Sequence, residues 1–258
     1  MPASLKLQAE LGDELQVLFV ESQGASPADA AVFALKQKWL GGRGMWTTEH
    51  PCDSGSRSLP SAVLLGSDGK VLFNGNPLDG HKEILRLVEE DAKARRDPPL
   101  DLPKALQGAW SNWAKGKPGE ALRQLDALTE KDRASLGEAW TTTRAAIVAR
   151  TSARFDRALW SFEHGLPERC VQDLEALAKA CEGTPEFKPR LEELRARLSG
   201  PEGAAEREAA KALGRIEAQF YASGGDEAAR KDLARLLAKH AGTKVGQRLA
   251  GVLALGKK

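Results

Sequence analysis

Cysteine is scarce in this chain, with three in 258 residues, Cys52, Cys170 and Cys181. So low a count excludes a disulfide framework as the source of stability, and no Cys-x-x-Cys pair occurs anywhere in the chain. The four histidines, His50, His81, His164 and His240, are scattered without metal-ligand spacing, so no metal and no other cofactor is expected. No apolar run approaches the roughly 20 residues that a membrane span requires. The N-terminus also lacks the basic, then apolar, then small-residue order of a secretory signal. An excess of one charge is missing too: residues 1–98 carry 11 Lys/Arg against 14 Asp/Glu, and the remainder 27 against 22. Neither half argues for nucleic acid or a membrane surface as partner.

What is present is enough apolar material, 41% of residues, to bury two ordinary cores. Good helix formers predict a short helix over Pro2 to Leu11, and Leu15 to Val20 reads as a buried strand ended by Glu21-Ser22-Gln23-Gly24. Ser26 as N-cap, Pro27 at the first helical position and Asp29 in the first turn predict a helix that Gly41-Gly42 should end. A short strand at 45–48, two strands at 61–65 and 71–73 around Gly66-Ser67-Asp68-Gly69-Lys70, and a helix from about Asp79 to Ala94 complete this region. Gly66-Ser67-Asp68-Gly69 is no phosphate loop, because a strand rather than a helix follows it.

Three prolines between Pro98 and Pro103 forbid a continuous helix, which predicts domains at 1–97 and 104–258 with a stiff linker over 98–103. The second region is rich in Ala, Leu, Glu, Lys and Arg and repeats itself. Trp113, Gly116, Pro118, Ala121, Leu122 and Leu125 return 49 residues later as Phe162, Gly165, Pro167, Cys170, Val171 and Leu174, and more weakly 59 residues further on as Tyr221, Gly224, Ala229 and Leu233. An aromatic residue, a turn glycine and a small residue followed by leucines specify a helical hairpin. These hairpins resemble tetratricopeptide units, although their period is longer than that family's 34 residues. Extra helices are therefore expected at about 135–149, 187–199 and 243–255, giving an irregular helical array. Cys170 and Cys181 read as core; Trp110, Trp113, Trp140 and Trp160 fall at helical core positions, with a peptide groove lined by some of them as the other reading.

Leu59-Pro60, the run Ser61-Ala62-Val63-Leu64-Leu65, the Asp68-Gly69 turn, Val71-Leu72-Phe73 and the break Gly75-Asn76-Pro77 before a final helix resemble the thioredoxin superfamily. The likeness is to its membrane-anchored or periplasmic thiol–disulfide oxidoreductase branch. The resemblance covers roughly residues 1–94 and implies an α/β thioredoxin-like domain with a cis Pro60. It further implies that Leu59 and Pro60 contact an extended protein or peptide substrate. The catalytic half of such a site, a dithiol at a helix N-terminus, has no residues here. The family's first strand is missing as well, and Met1-Pro2 with Leu5 either continues the family's redox helix or merely starts a helix. An N-terminally shortened form is the expectation, and a compartment would depend on a signal preceding it. Cys52, on the polar loop His50-Pro51-Cys52-Asp53, is the candidate reactive thiol. Two functions follow as expectations: a thiol–disulfide oxidoreductase whose dithiol lies outside these residues, or a non-catalytic binding or scaffold protein whose helical domain holds a protein partner.

Overall fold

A computed structural model describes residues 2–11, 15–40, 45–53, 55 and 59–255. The chain divides into two compact units, one of Met1–Arg96, Ala218–Arg230 and Leu253–Lys258, the other of Asp97–Glu217 and Lys231–Val252. The first unit therefore draws on two segments far beyond the proline-rich stretch, which no local pattern announces.

In the first region the order is α1 (Pro2–Leu11), β1 (Leu18–Val20), α2 (Pro27–Lys36), β2 (Met45–Thr47), β3 (Ala62–Leu65), β4 (Val71–Gly75) and α3 (His81–Arg96). Strand β1 pairs in parallel with β2, and β3 pairs antiparallel with β4, as two separate two-stranded sheets. Two thirds of the chain, 67%, is helical.

The expected α/β thioredoxin-like domain is thereby corrected. Such a domain needs one continuous sheet with helices against its faces, whereas no ladder joins the two strand pairs among the described residues. None of the described strand side chains is fully buried. Among the described residues, the buried apolar ones of this unit, Leu7, Ala31, Ala34, Leu35, Val88, Ala92, Phe220 and Leu253, all lie on helices.

Local chemistry explains the elements that do form. The Ser26 hydroxyl accepts the Asp29 N–H at 3.2 Å and Pro27 supplies the first helical position of α2. The helix ends earlier than the Gly41-Gly42 pair would have it. Lys38 takes a left-handed conformation at φ 60°, its N–H bonding Leu35 O while the Trp39 N–H bonds Ala34 O, each at 2.9 Å. That is a Schellman cap with lysine where glycine is preferred. Lys38→Gly removes the steric cost of a left-handed lysine, and the melting transition should show a gain of about 0.5–1 kcal/mol. In the β3–β4 hairpin, Gly69 supplies φ 79° and the Lys70 N–H bonds Asp68 Oδ1 at 3.0 Å. Asp91 of α3 accepts both the Ser67 N–H and its hydroxyl, at 3.2 and 3.1 Å, and so ties that turn to the helix.

The remaining helices are α4 (Lys104–Ala114), α5 (Pro118–Asp126), α6 (Glu130–Leu136), α7 (Glu138–Glu163), α8 (Pro167–Ala180), α9 (Lys188–Ser199), α10 (Pro201–Ser223), α11 (Glu227–Leu237) and α12 (Lys244–Ala254), with a 3-10 turn at Pro185–Phe187. The sequence repeat appears as one turn built three times. The Gly116 N–H bonds Trp113 O and the Lys117 N–H bonds Asn112 O; Gly165 with Phe162, and Leu166 with Ser161, repeat the pattern, as do Gly224 with Tyr221 and Gly225 with Phe220. Each glycine has positive φ, 77°, 70° and 72° in turn, so these are Schellman caps in which glycine avoids the Cβ penalty. Pro118 and Pro167 then open the return helices.

The leucine stripes of those helices face inward. Leu106, Ala121, Leu122, Leu125, Ile147, Phe155, Phe162, Cys170 and Leu177 belong to one buried cluster. Of the extra helices expected, that at 135–149 is no separate element. No glycine or proline interrupts residues 138–163, and the segment runs into the repeat helix as the 26 residues of α7.

Candidate functional site

The three residues singled out in the first region lie at its surface. Leu59 is 63% exposed, Pro60 is exposed, and the peptide bond between them is cis. Cys52 is half-buried, and no described hydrogen bond or ion pair joins it to either of them. Its loop neighbour Asp53 accepts the Gly55 N–H at 2.7 Å, an ordinary turn contact.

The other two thiols are core. Cys170 occupies the small-residue position of the second hairpin and Cys181 caps α8. Burial pushes each thiol up to about 11, so neither is ionised near neutrality.

The tryptophans divide. Trp110 is buried, Trp140 donates its indole N–H to Leu125 O at 3.2 Å, and Arg150 lies over Trp113 at 4.7 Å from the ring centre. Trp160 departs from the expected core placement: it is 51% exposed and stacks on His164 with ring centres 4.1 Å apart. Among the described residues, no group of three or more His, Cys, Asp or Glu is placed to hold a metal, and no helix is long and apolar enough to cross a membrane.

One open groove lies in the second unit, among α8, α9 and the first turns of α10. On α8, Cys170, Leu174 and Leu177 recur at helical spacing and turn inward, leaving Val171 half-buried at the edge of that stripe. On α9, Leu191, Leu194 and Leu198 do the same. Gly200-Pro201 separates α9 from α10, and Gly203 allows the new helix to pass close to the old one. A Cβ on Gly203 would stand 2.6 Å from the Leu198 carbonyl carbon, too near for any side chain.

The resulting open groove, about 300 Å³, is lined by Val171, Leu174, Glu175, Arg195, Leu198, Ser199 and Arg207. Its floor is apolar. The polar lining atoms are those of Glu175, Arg195 and Arg207, together with Ser199, whose hydroxyl is already used on Arg195 O at 2.8 Å. Arg207 is steadied by a 3.3 Å bond from its Nε to Gly203 O. Neither arginine has a carboxylate partner among the described residues. Neighbouring arginines do: Arg197 pairs with Glu163 and Glu193, Arg190 with Asp156, and Arg157 with Asp173.

No family model, curated protein or solved structure matches this chain. The groove must therefore be judged on its own geometry. None of the four tryptophans considered from the sequence lines it, and none of its seven lining residues was foreseen as a site. The available signal was small: a valine directly beside the leucine stripe of α8, followed by a Gly-Pro break that starts a new helix.

Proposed function

We propose that this chain is a protein-binding module without catalytic chemistry of its own, and that the groove among α8, α9 and α10 is its binding surface. The observation that carries this reading is an open groove whose floor is apolar, half-buried Val171 with the inward-turned Leu174 and Leu198, beside two exposed arginines that lack ion pairs among the described residues. An open apolar floor with a polar rim is the usual anatomy of a recognition site. Dithiol oxidoreductase turnover, in which a second thiol resolves the mixed disulfide formed by the first, would need two accessible thiols. This chain offers half-buried Cys52 alone, because Cys170 and Cys181 lie in the core.

Panning a random peptide display library on the full chain tests the proposal. Enriched peptides should carry a large apolar residue and should lose binding to Val171→Trp, which fills the floor from its edge. Peptides that bind that variant and the parent equally would refute the groove as the binding surface.

A further inference from the structure

Resting on that reading, we infer that the occupant of the groove is an acidic peptide segment that sets one large apolar side chain on the floor and its carboxylates on Arg195 and Arg207. The volume of about 300 Å³ is at the low end for a ligand pocket, suited to a side chain or two rather than to a whole helix face. Val171, Leu174 and Leu198 offer nothing to a polar group, so the inserted side chain must be aliphatic or aromatic.

The rim chooses the flanking residues. Guanidinium groups are weakly hydrated, planar and forked, which suits them to bidentate carboxylate recognition. Two of them stand on separate helices, Arg195 on α9 and Arg207 on α10, and neither is held in an ion pair among the described residues. Glu175 on α8 sets the polarity across the groove. Carboxylates of the bound segment belong on the α9 and α10 side, and a third acid turned toward α8 would be repelled.

Fluorescence anisotropy with the full chain at low ionic strength decides the matter, using the fluorescein-labelled peptides EEDLFEED and QQNLFQQN. The acidic peptide should bind about tenfold or more tightly than the neutral one. Arg195→Glu with Arg207→Glu should abolish that preference, and Arg195→Gln with Arg207→Gln should reduce it partway. Both pairs sit at exposed positions, and unchanged circular dichroism would confirm that they fold.

Equal affinity for the two peptides, at a site that Val171→Trp still blocks, would overturn the acidic preference and leave the binding module standing. Failure of both peptides to bind would overturn the two readings together, as would binding indifferent to Val171→Trp. Self-association of the chain that the arginine variants abolish, without peptide binding, would assign the groove to a second copy and likewise overturn the inference.

Discussion

Alanine at Gly165 is expected to cost about 3–5 kcal/mol of stability, whereas alanine at the equivalent Gly116 should cost only about 1–2 kcal/mol. Both glycines are left-handed residues of the same cap, at φ 70° and 77°, so both substitutions incur the conformational term. The difference lies in their surroundings. A Cβ at Gly116 would meet nothing within 4 Å, while one at Gly165 would stand 2.7 Å from the Lys244 carbonyl and 2.8 Å from the Val245 nitrogen. Those are backbone atoms at the start of α12, which no rotamer change can move aside. The Gly165 carbonyl also accepts Arg248 Nε at 3.2 Å, and Arg248 grips Glu217 through two bonds of 2.6 and 2.9 Å. A displaced turn would loosen that set as well. Denaturant unfolding of the two variants side by side measures the contrast, and equal losses would show that α12 does not press on this turn.

Glu206→Gln is expected to destabilise the chain by about 2–4 kcal/mol, and Glu206→Ala by somewhat more. The carboxylate is only 3% exposed and belongs to α10, yet it caps α12. Oε1 accepts the Lys244 N–H at 2.6 Å and Oε2 the Val245 N–H at 3.0 Å. Thr243 completes the end: its hydroxyl accepts the Gly246 N–H at 2.9 Å and its carbonyl the Gln247 N–H at 2.9 Å. Every free donor of the first turn is thus satisfied, and the buried charge faces the positive end of the helix. Glutamine keeps the shape but turns an NH₂ toward one of the two N–H groups, leaving a buried donor facing a donor. Thr243→Ala, an ordinary cap loss, should cost only about 1 kcal/mol. Because Gly165 and Glu206 act on the same two residues of α12, their effects should fall short of additivity in the double variant. Thermal or denaturant melts of the single and double variants test both statements.

The parts of the fold legible in the sequence were those governed by neighbouring residues. Ser26, Pro27 and Asp29 announce the start of α2, Asp68-Gly69 announces a hairpin turn, and the glycine–proline pairs announce the helical hairpins, because each acts within one turn of chain. The thioredoxin-like reading failed at a longer range. The apolar runs at 15–20, 61–65 and 71–73 do contain strands, at Leu18–Val20, Ala62–Leu65 and Val71–Gly75, although the first is largely exposed rather than buried, and strand identity does not determine whether they join in one sheet. The end of α2 was misplaced because Lys38 adopts a conformation for which lysine is no signal. The groove was illegible for a related reason. Its three apolar residues look like any leucine stripe, and only the close approach at Gly203, set by backbone atoms of another helix, makes a concavity of them. Glu206 likewise reads as a surface charge until α12 is brought to it.

Helix α7 alters how the helical unit holds together. At 26 residues it is about 39 Å long, and it packs on α4 and α5 of the first hairpin as well as on α8 of its own. Arg144 near its start bonds Asp126 of α5 and Glu186 of the 3-10 turn, and further along Asp156 and the Ser152 carbonyl receive Arg190 of α9. In a regular solenoid each repeat touches only its neighbours, so stability is a sum of local terms and ends can fray by themselves. Here a single beam is common to successive hairpins. Neither hairpin can open without dragging the other, and this stretch of the chain behaves as one cooperative block rather than as a string of separable units.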